Sequence, residues 1–403
     1  MLGILIKRER AAQNMSQEAL AAGICSPSYL SKIENGAAEC SDELYRHLFD
    51  ALGIRYVSDE ALLNRFDEAY TRMLAGLRQA EKLKDEESAA LLPLCEKLLF
   101  SPRGMDAALF AALLRKRSVS KEELESLAFF LPFLDRRQRM LYALISREAF
   151  LASGERPRSV QALEDVKSTE EPQIFLLLCD DFFQLGDYRR SMENGLEAYR
   201  LFSDRGCVSG MLDAAMLLFA CCSNARDRDA THRWLAVARN LNKTVKDPYA
   251  AFILCYNEGA TRLILGDFTG ALHCFEEAET SDVPYLNSRD KALLNQKLAF
   301  THVLSGNAKK AFSYLEKIEY GDETEALALS VRLMRYMLAT PDYVFTKTYR
   351  ELLEACFYAA EREQPRGVLE FYGGFLLDAY RKNRQYKKMA LLMEKYKLSF
   401  LFE

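Results

Sequence analysis

The stretch from Leu265 to Phe275 (LGDFTGALHCF) lines up without gaps on Ser305 to Leu315 (SGNAKKAFSYL), an offset of about 40 residues. Self-similarity at a fixed period of this size marks a repeat array, because a single unit cannot bury its apolar face alone and must stack on copies of itself. An earlier copy, Leu185-Gly186-Asp187-Tyr188 with Ser191, lies 80 residues before the first. The unit between them is degenerate around Asn224 to Trp234, and a last copy reads Asn383-Arg384-Gln385-Tyr386 with Met389 and Met393. Each unit reads as an apolar helix, a Gly-Asp or Gly-Asn turn, then a helix bearing a small residue four places before a large one. Strand signals are nearly absent throughout, so the predicted fold is all-α.

These units resemble the tetratricopeptide repeat, with helices longer than its usual form. The HEAT or armadillo type fits the period better but not the Gly266-Asp267-Phe268 turn. Either way the expectation is an α-solenoid of helical hairpins, whose concave face binds extended peptides or helices.

The N-terminus has a different pattern. Ile4 to Gln13 suits a short amphipathic helix, and Ser16 caps a second one running to Ala22, ended by Gly23. Ser26-Pro27 opens a third, with proline at the first helical position, where its missing N–H costs nothing, and Asn35-Gly36 stops it. Ser41 caps a fourth, which runs to Leu52-Gly53. Two short helices separated by a tight turn form a helix-turn-helix. The run from Ser16 to Gly36 closely resembles the Cro and phage-repressor family of such domains. That resemblance implies a third helix lying in the major groove of DNA. Pro27, Ser28, Ser31 and Lys32 share its groove-facing side and are the candidates for reading bases. Gln17 and Tyr29 sit nearer the phosphates, where Arg10, with Lys7 and Asn35, would bind the backbone without reading sequence.

Up to Ile54 the chain carries five Lys and Arg against seven Asp and Glu, so one such domain neutralises few phosphates and should bind weakly. Dimerisation on an inverted-repeat operator is the natural remedy, so a homodimer is expected. The expected organisation is a helix-turn-helix domain over residues 1–54, a linker over 55–66 and the repeat domain over 67–403. No apolar stretch is long enough for a membrane span, which points to the cytoplasm. The ten cysteines include no CxxC pair and the four histidines no metal-ligand spacing, so neither a metal nor another cofactor is expected, and no catalytic constellation is visible.

A Cro-like domain followed by tetratricopeptide-like repeats resembles the RRNPP family of peptide-sensing transcription regulators from Gram-positive bacteria. The run from Gly23 to Gly36 is especially similar to its PlcR and NprR branch. The resemblance implies a sequence-specific DNA-binding regulator of quorum-sensing type, controlled by a short signalling peptide in the concave groove. By the same resemblance asparagines on the inner helices hold the peptide backbone, since a carboxamide both donates and accepts. Asn257 and Asn295 are the candidates, with Arg262 for a peptide carboxylate and Tyr256 and Lys297 beside them. Two alternatives stand: a repeat-based interaction module acting on a phosphorelay response regulator, and a repressor that senses no peptide.

Overall fold

The computed structural model describes residues 1–78, 85–115, 119–169, 171–284, 286–318, 325–363 and 366–398. Among these residues there are 22 α-helices and no strand. The chain divides into two compact units, Met1–Ile174 and Phe175–Glu403.

The first unit opens with α1 (Leu2–Ala12), α2 (Gln17–Ala21), α3 (Pro27–Glu34) and α4 (Asp42–Ala51). Ser16, Ser26 and Ser41 each accept the backbone N–H three residues on, so all three serine caps form as the sequence predicts. Ile4, Leu5, Ile6, Leu20, Leu30, Ile33, Leu48 and Phe49 make the core of this head. At Gly3 any side chain would collide with the Ile33 carbonyl, so α1 and α3 cross with their backbones in contact.

Of the residues expected as a linker, 60–66 are the first turns of α5 (Glu60–Arg78). The extended residues before it are packed in place. Tyr56 stacks on Phe49 with ring centroids 5.5 Å apart and donates its hydroxyl to Asp42 at 2.9 Å. A short stretch without apolar periodicity can still be held when one aromatic side chain reaches a core. Helices α6 (Asp85–Lys97), α7 (Gly104–Arg115), α8 (Lys121–Ala128), α9 (Arg136–Ala152) and α10 (Arg156–Glu164) complete the unit. The head docks directly on them. Val57 N–H donates to Phe100 O at 2.9 Å, Phe49 meets the Phe100 ring edge-on at 5.7 Å, and the Arg8 guanidinium lies 5.1 Å from the Phe130 ring centroid.

The second unit begins within α11 (Pro172–Gln184) and continues as hairpins. They are α12 (Tyr188–Asp204), α13 (Val208–Asn224), α14 (Arg228–Val245), α15 (Pro248–Ile264), α16 (Phe268–Thr280), α17 (Ser288–Leu304) and α18 (Ala308–Glu316). After these come α19 (Glu325–Ala339), α20 (Lys347–Glu363), α21 (Arg366–Lys382) and α22 (Tyr386–Tyr396). Hairpin turns recur every 40 residues, with left-handed backbone at Gly186, Arg226, Gly266 and Gly306 (φ 76, 61, 78 and 78°). The following Asp187, Asp227, Asp267 and Asn307 cap the next helix by accepting the N–H three residues on. The unit that reads as degenerate is therefore geometrically regular, with Arg226 doing the work of glycine. Ser191, Thr231, Ala271 and Ala311, also 40 apart, are buried where paired helices touch.

Candidate functional site

In the head, α3 presents two unlike faces. Leu30, Ile33 and Glu34 are buried, while Pro27, Ser28 and Lys32 are exposed and Ser31 and Tyr29 half-buried. The Tyr29 hydroxyl donates to Glu39 O at 3.1 Å, and Lys7 Nζ donates to Asn35 Oδ1 at 3.0 Å, tying the C-terminal end of α3 to α1. The face expected to read bases thus stands clear of the head's own packing.

Arg10 and Gln17 are engaged differently from their expected phosphate roles. The Arg10 guanidinium donates to Glu34 Oε1 at 2.6 Å and Oε2 at 2.8 Å, and to Met15 O at 2.7 Å. Gln17 Nε2 adds a 2.7 Å hydrogen bond to the same carboxylate. Burial pushes the Glu34 carboxyl up, but the hydrogen bonds from Arg10 and Gln17, with the Arg10 and Lys7 charges, outweigh it and hold the group below its ordinary value. Sequence reasoning missed Glu34, because a charged residue at the end of an exposed helix reads as solvated. The available signal was its spacing: Glu34 lies four residues after Leu30 and so shares its buried face.

In the repeat unit the 40-residue register defines a second site. Projecting Asn257 along the array gives a stripe of three or four residues per helix. On α15 these are Ile253, Asn257, Ala260 and Ile264, and on α17 Leu293, Lys297, Phe300 and Leu304. The equivalent α13 residues are Asp213, Leu217, Ala220 and Asn224, and α11 supplies Leu177, Asp180 and Gln184. All are half-buried except Asp213, which is exposed, and Phe300, which is buried. The residues between them on each helix are mostly buried, so the stripe is the solvent side of the inner helices.

This stripe faces the hollow of the array. A side chain at Gly367 of α21 would collide with the Asn224 carboxamide of α13. On α17, Lys297 Nζ lies 5.3 Å from the Phe371 ring centroid and Phe300 meets the same ring at 5.2 Å. Helices so far apart in the stacking order come together across a concave side, so α21 bounds the groove, meeting the stripe at Asn224, Lys297 and Phe300.

Of the expected ligand residues, Asn257 and Lys297 fall on this stripe in equivalent positions, and Tyr256 adjoins it. The Asn257 carboxamide and the Lys297 ammonium have no hydrogen-bond or ion-pair partner among the described residues. Lys297 keeps some accessible surface, yet protein surrounds it closely enough that burial pulls its pKa down to about 8. Asn295 lies off the stripe, two residues before Lys297 and some 200° round the helix. Arg262 is engaged elsewhere: it pairs with Glu258 at 2.9 Å and Asp267 at 2.9 Å, and Arg239 holds the other Glu258 oxygen at 2.6 Å. Sequence reasoning judged Arg262 by reach alone, whereas the i, i+4 carboxylate of Glu258 captures it.

Residues 6–56 match the family model described as helix-turn-helix. No curated protein matches the sequence. Among solved structures, a Rap protein complexed with competence and sporulation factor aligns at a TM-score of 0.63 and 12% identity, covering 84% of this chain and 97% of that one. The apo form of RapI aligns at 0.58 and 12%, covering 84% and 95%. PlcR from Bacillus thuringiensis, in complex with the peptide PapR7 and DNA, gives 0.38 and 14%, covering 61% of this chain and 95% of that one. No described helix is long and apolar enough to cross a membrane. Residues 6–56 therefore belong to the helix-turn-helix family, and they head a chain whose all-helical repeat fold is that of the Rap proteins.

Proposed function

We propose that this protein is a DNA-binding transcription regulator whose repeat groove takes a short peptide. The observation that carries the reading is the presence in one chain of a matched helix-turn-helix head, with the outer face of α3 unengaged, and a concave stripe bearing the unpartnered Asn257 and Lys297. Residues 1–54 are the DNA-contacting part and the repeats after residue 67 carry the sensor. Ser28, Ser31 and Lys32, beside Pro27, read base edges, while Tyr29, Lys7 and Asn35 position the backbone. The protein acts as a homodimer on an inverted repeat, in the cytoplasm, because a head with more acidic than basic side chains needs a second half-site. That the fold is shared with a Rap structure described as complexed with a competence and sporulation factor supports a ligand in the repeat unit.

The test is fluorescence anisotropy at fixed salt, with duplexes from the promoter regions around its own gene. Selective nanomolar binding, lost in a Ser28→Ala/Lys32→Ala variant, is the expected result. Equal affinity for all duplexes would sink the DNA-regulator reading.

A second reading, a protein-interaction module, is favoured by one observation in the first unit. Phe129 and Phe133 are 50% and 48% exposed around Leu131-Pro132, an apolar surface of the kind that marks contact sites.

A further inference from the structure

The stripe of the groove carries a single cation, Lys297 on α17, beside neutral residues on α15; the carboxylates of Asp180 on α11 and Asp213 on α13 each have partners of their own. Lys297 stands over the Phe371 ring, and no described carboxylate pairs with it, although the surface of this protein is rich in close Arg and Lys ion pairs. Its neighbour Gln296 is taken, donating to Ser330 Oγ at 2.8 Å and toward the Tyr372 hydroxyl at 3.4 Å. A desolvated ammonium without a counter-charge is unfavourable and persists where it is retained for an anion from outside.

We propose that Lys297 receives the C-terminal carboxylate of the peptide in the groove, so that the peptide lies with its carboxyl end at α17 and its amino end toward α13. This rests on the reading of the groove as a peptide site. The ring of Phe371 forms the wall that excludes water from the ion pair, and the Asn257 carboxamide, one helix earlier in the same register, is placed to donate to and accept from the peptide backbone. Two interhelical spacings of about 8–10 Å separate α13 from α17, which extended chain at about 3.3–3.6 Å per residue crosses in roughly five or six residues. The ligand class is thus a short linear peptide with a free α-carboxylate.

The experiment uses the full chain and two synthetic hexapeptide libraries lacking Asp and Glu, one with free C-termini and one C-terminally amidated. Retained peptides are separated by size exclusion and counted by mass spectrometry. Expected is retention from the free-acid library at least about ten-fold above the amides, the discrimination a charge-assisted hydrogen bond supplies. That preference should vanish in Lys297→Gln and survive in Lys297→Arg. Thermal melting without peptide provides a second readout: Lys297→Met should raise the midpoint, since it removes an uncompensated buried charge. Equal retention of acids and amides by the unaltered protein, or undiminished preference in Lys297→Gln, overturns the carboxylate assignment while leaving the groove as a peptide site. Retention of neither library overturns both.

Discussion

Arg10 grips Glu34 through the Nε–Nη2 edge of its guanidinium, at 2.6 and 2.8 Å, and thereby locks α1 to the end of α3. The Glu34 side chain has no accessible surface and that of Arg10 very little, so this is a buried pair at the base of α3. Removing one partner strands the other charge. We expect Arg10→Met or Glu34→Leu to destabilise the head by about 3–5 kcal/mol, and the double variant to recover much of that loss. Circular dichroism melts of the four proteins measure the coupling; additive single losses would show that the pair is not a unit.

The same carboxylate gives a pH dependence. Because the folded Glu34 is held below its ordinary value, its contribution is fully present above the unfolded pKa of about 4.3. It is lost as pH falls through the lower folded value. Acid titration of the head signals should show an earlier midpoint in Arg10→Met, where the depression is gone.

His302 on α17 titrates in a milder range. It is 2% exposed, it stacks on Tyr314 with ring centroids 5.7 Å apart, and neither ring nitrogen meets a hydrogen-bond partner among the described residues. Burial, reinforced by the Lys310 charge and opposed by Glu276, lowers its pKa. The neutral form is the folded one, so stability is full above about pH 6.5 and falls as the pH drops below it. A His302→Phe variant should flatten the melting midpoint between pH 7 and 5, roughly the window in which an unperturbed imidazole charges. A slope unchanged by that substitution would assign it to other groups.

Arg226 sits where the turns at residues 186, 266 and 306 have glycine, at φ 61°. A left-handed residue with a side chain is strained by about 1–2 kcal/mol, partly offset by the greater freedom glycine has in the unfolded chain. Arg226→Gly should therefore stabilise the repeat unit by about 0.5–1 kcal/mol in denaturant unfolding. A loss of stability would mean that the exposed Arg226 side chain makes a favourable contact.

The head's docking on the helices after it is testable through Gly104, where a side chain would collide with the Leu99 carbonyl and approach Leu5 of α1. Gly104→Val, combined with Arg8→Ala to remove the contact over Phe130, should raise amide exchange across residues 55–58 by about ten-fold or more relative to α1 and α3. Unchanged protection there would show that the head is held by other contacts.

Local chemistry was enough to place the head and the array from residues alone. Serine caps, a proline at a first helical position and glycine stops act over three or four residues, so Ser16, Ser26-Pro27 and Gly36 announce their helices without any partner. The turns at Gly266 and Gly306 announce the period in the same way, since a left-handed stop followed by an Asp or Asn cap is a local device. What tertiary structure decided was the destination of the long polar side chains. Arg10 and Gln17 read as phosphate ligands but reach Glu34, and Arg262 reads as a carboxylate receptor but already holds Glu258 and Asp267. A flexible charged side chain takes whichever opposite charge the packed chain brings within its reach, and that choice spans many residues of sequence. Arg226 hid a regular repeat because backbone conformation, not residue type, defines the turn. The docking of Val57 and Phe49 against Phe100 was hidden for a related reason: contacts between elements depend on shapes that exist only once the helices have assembled.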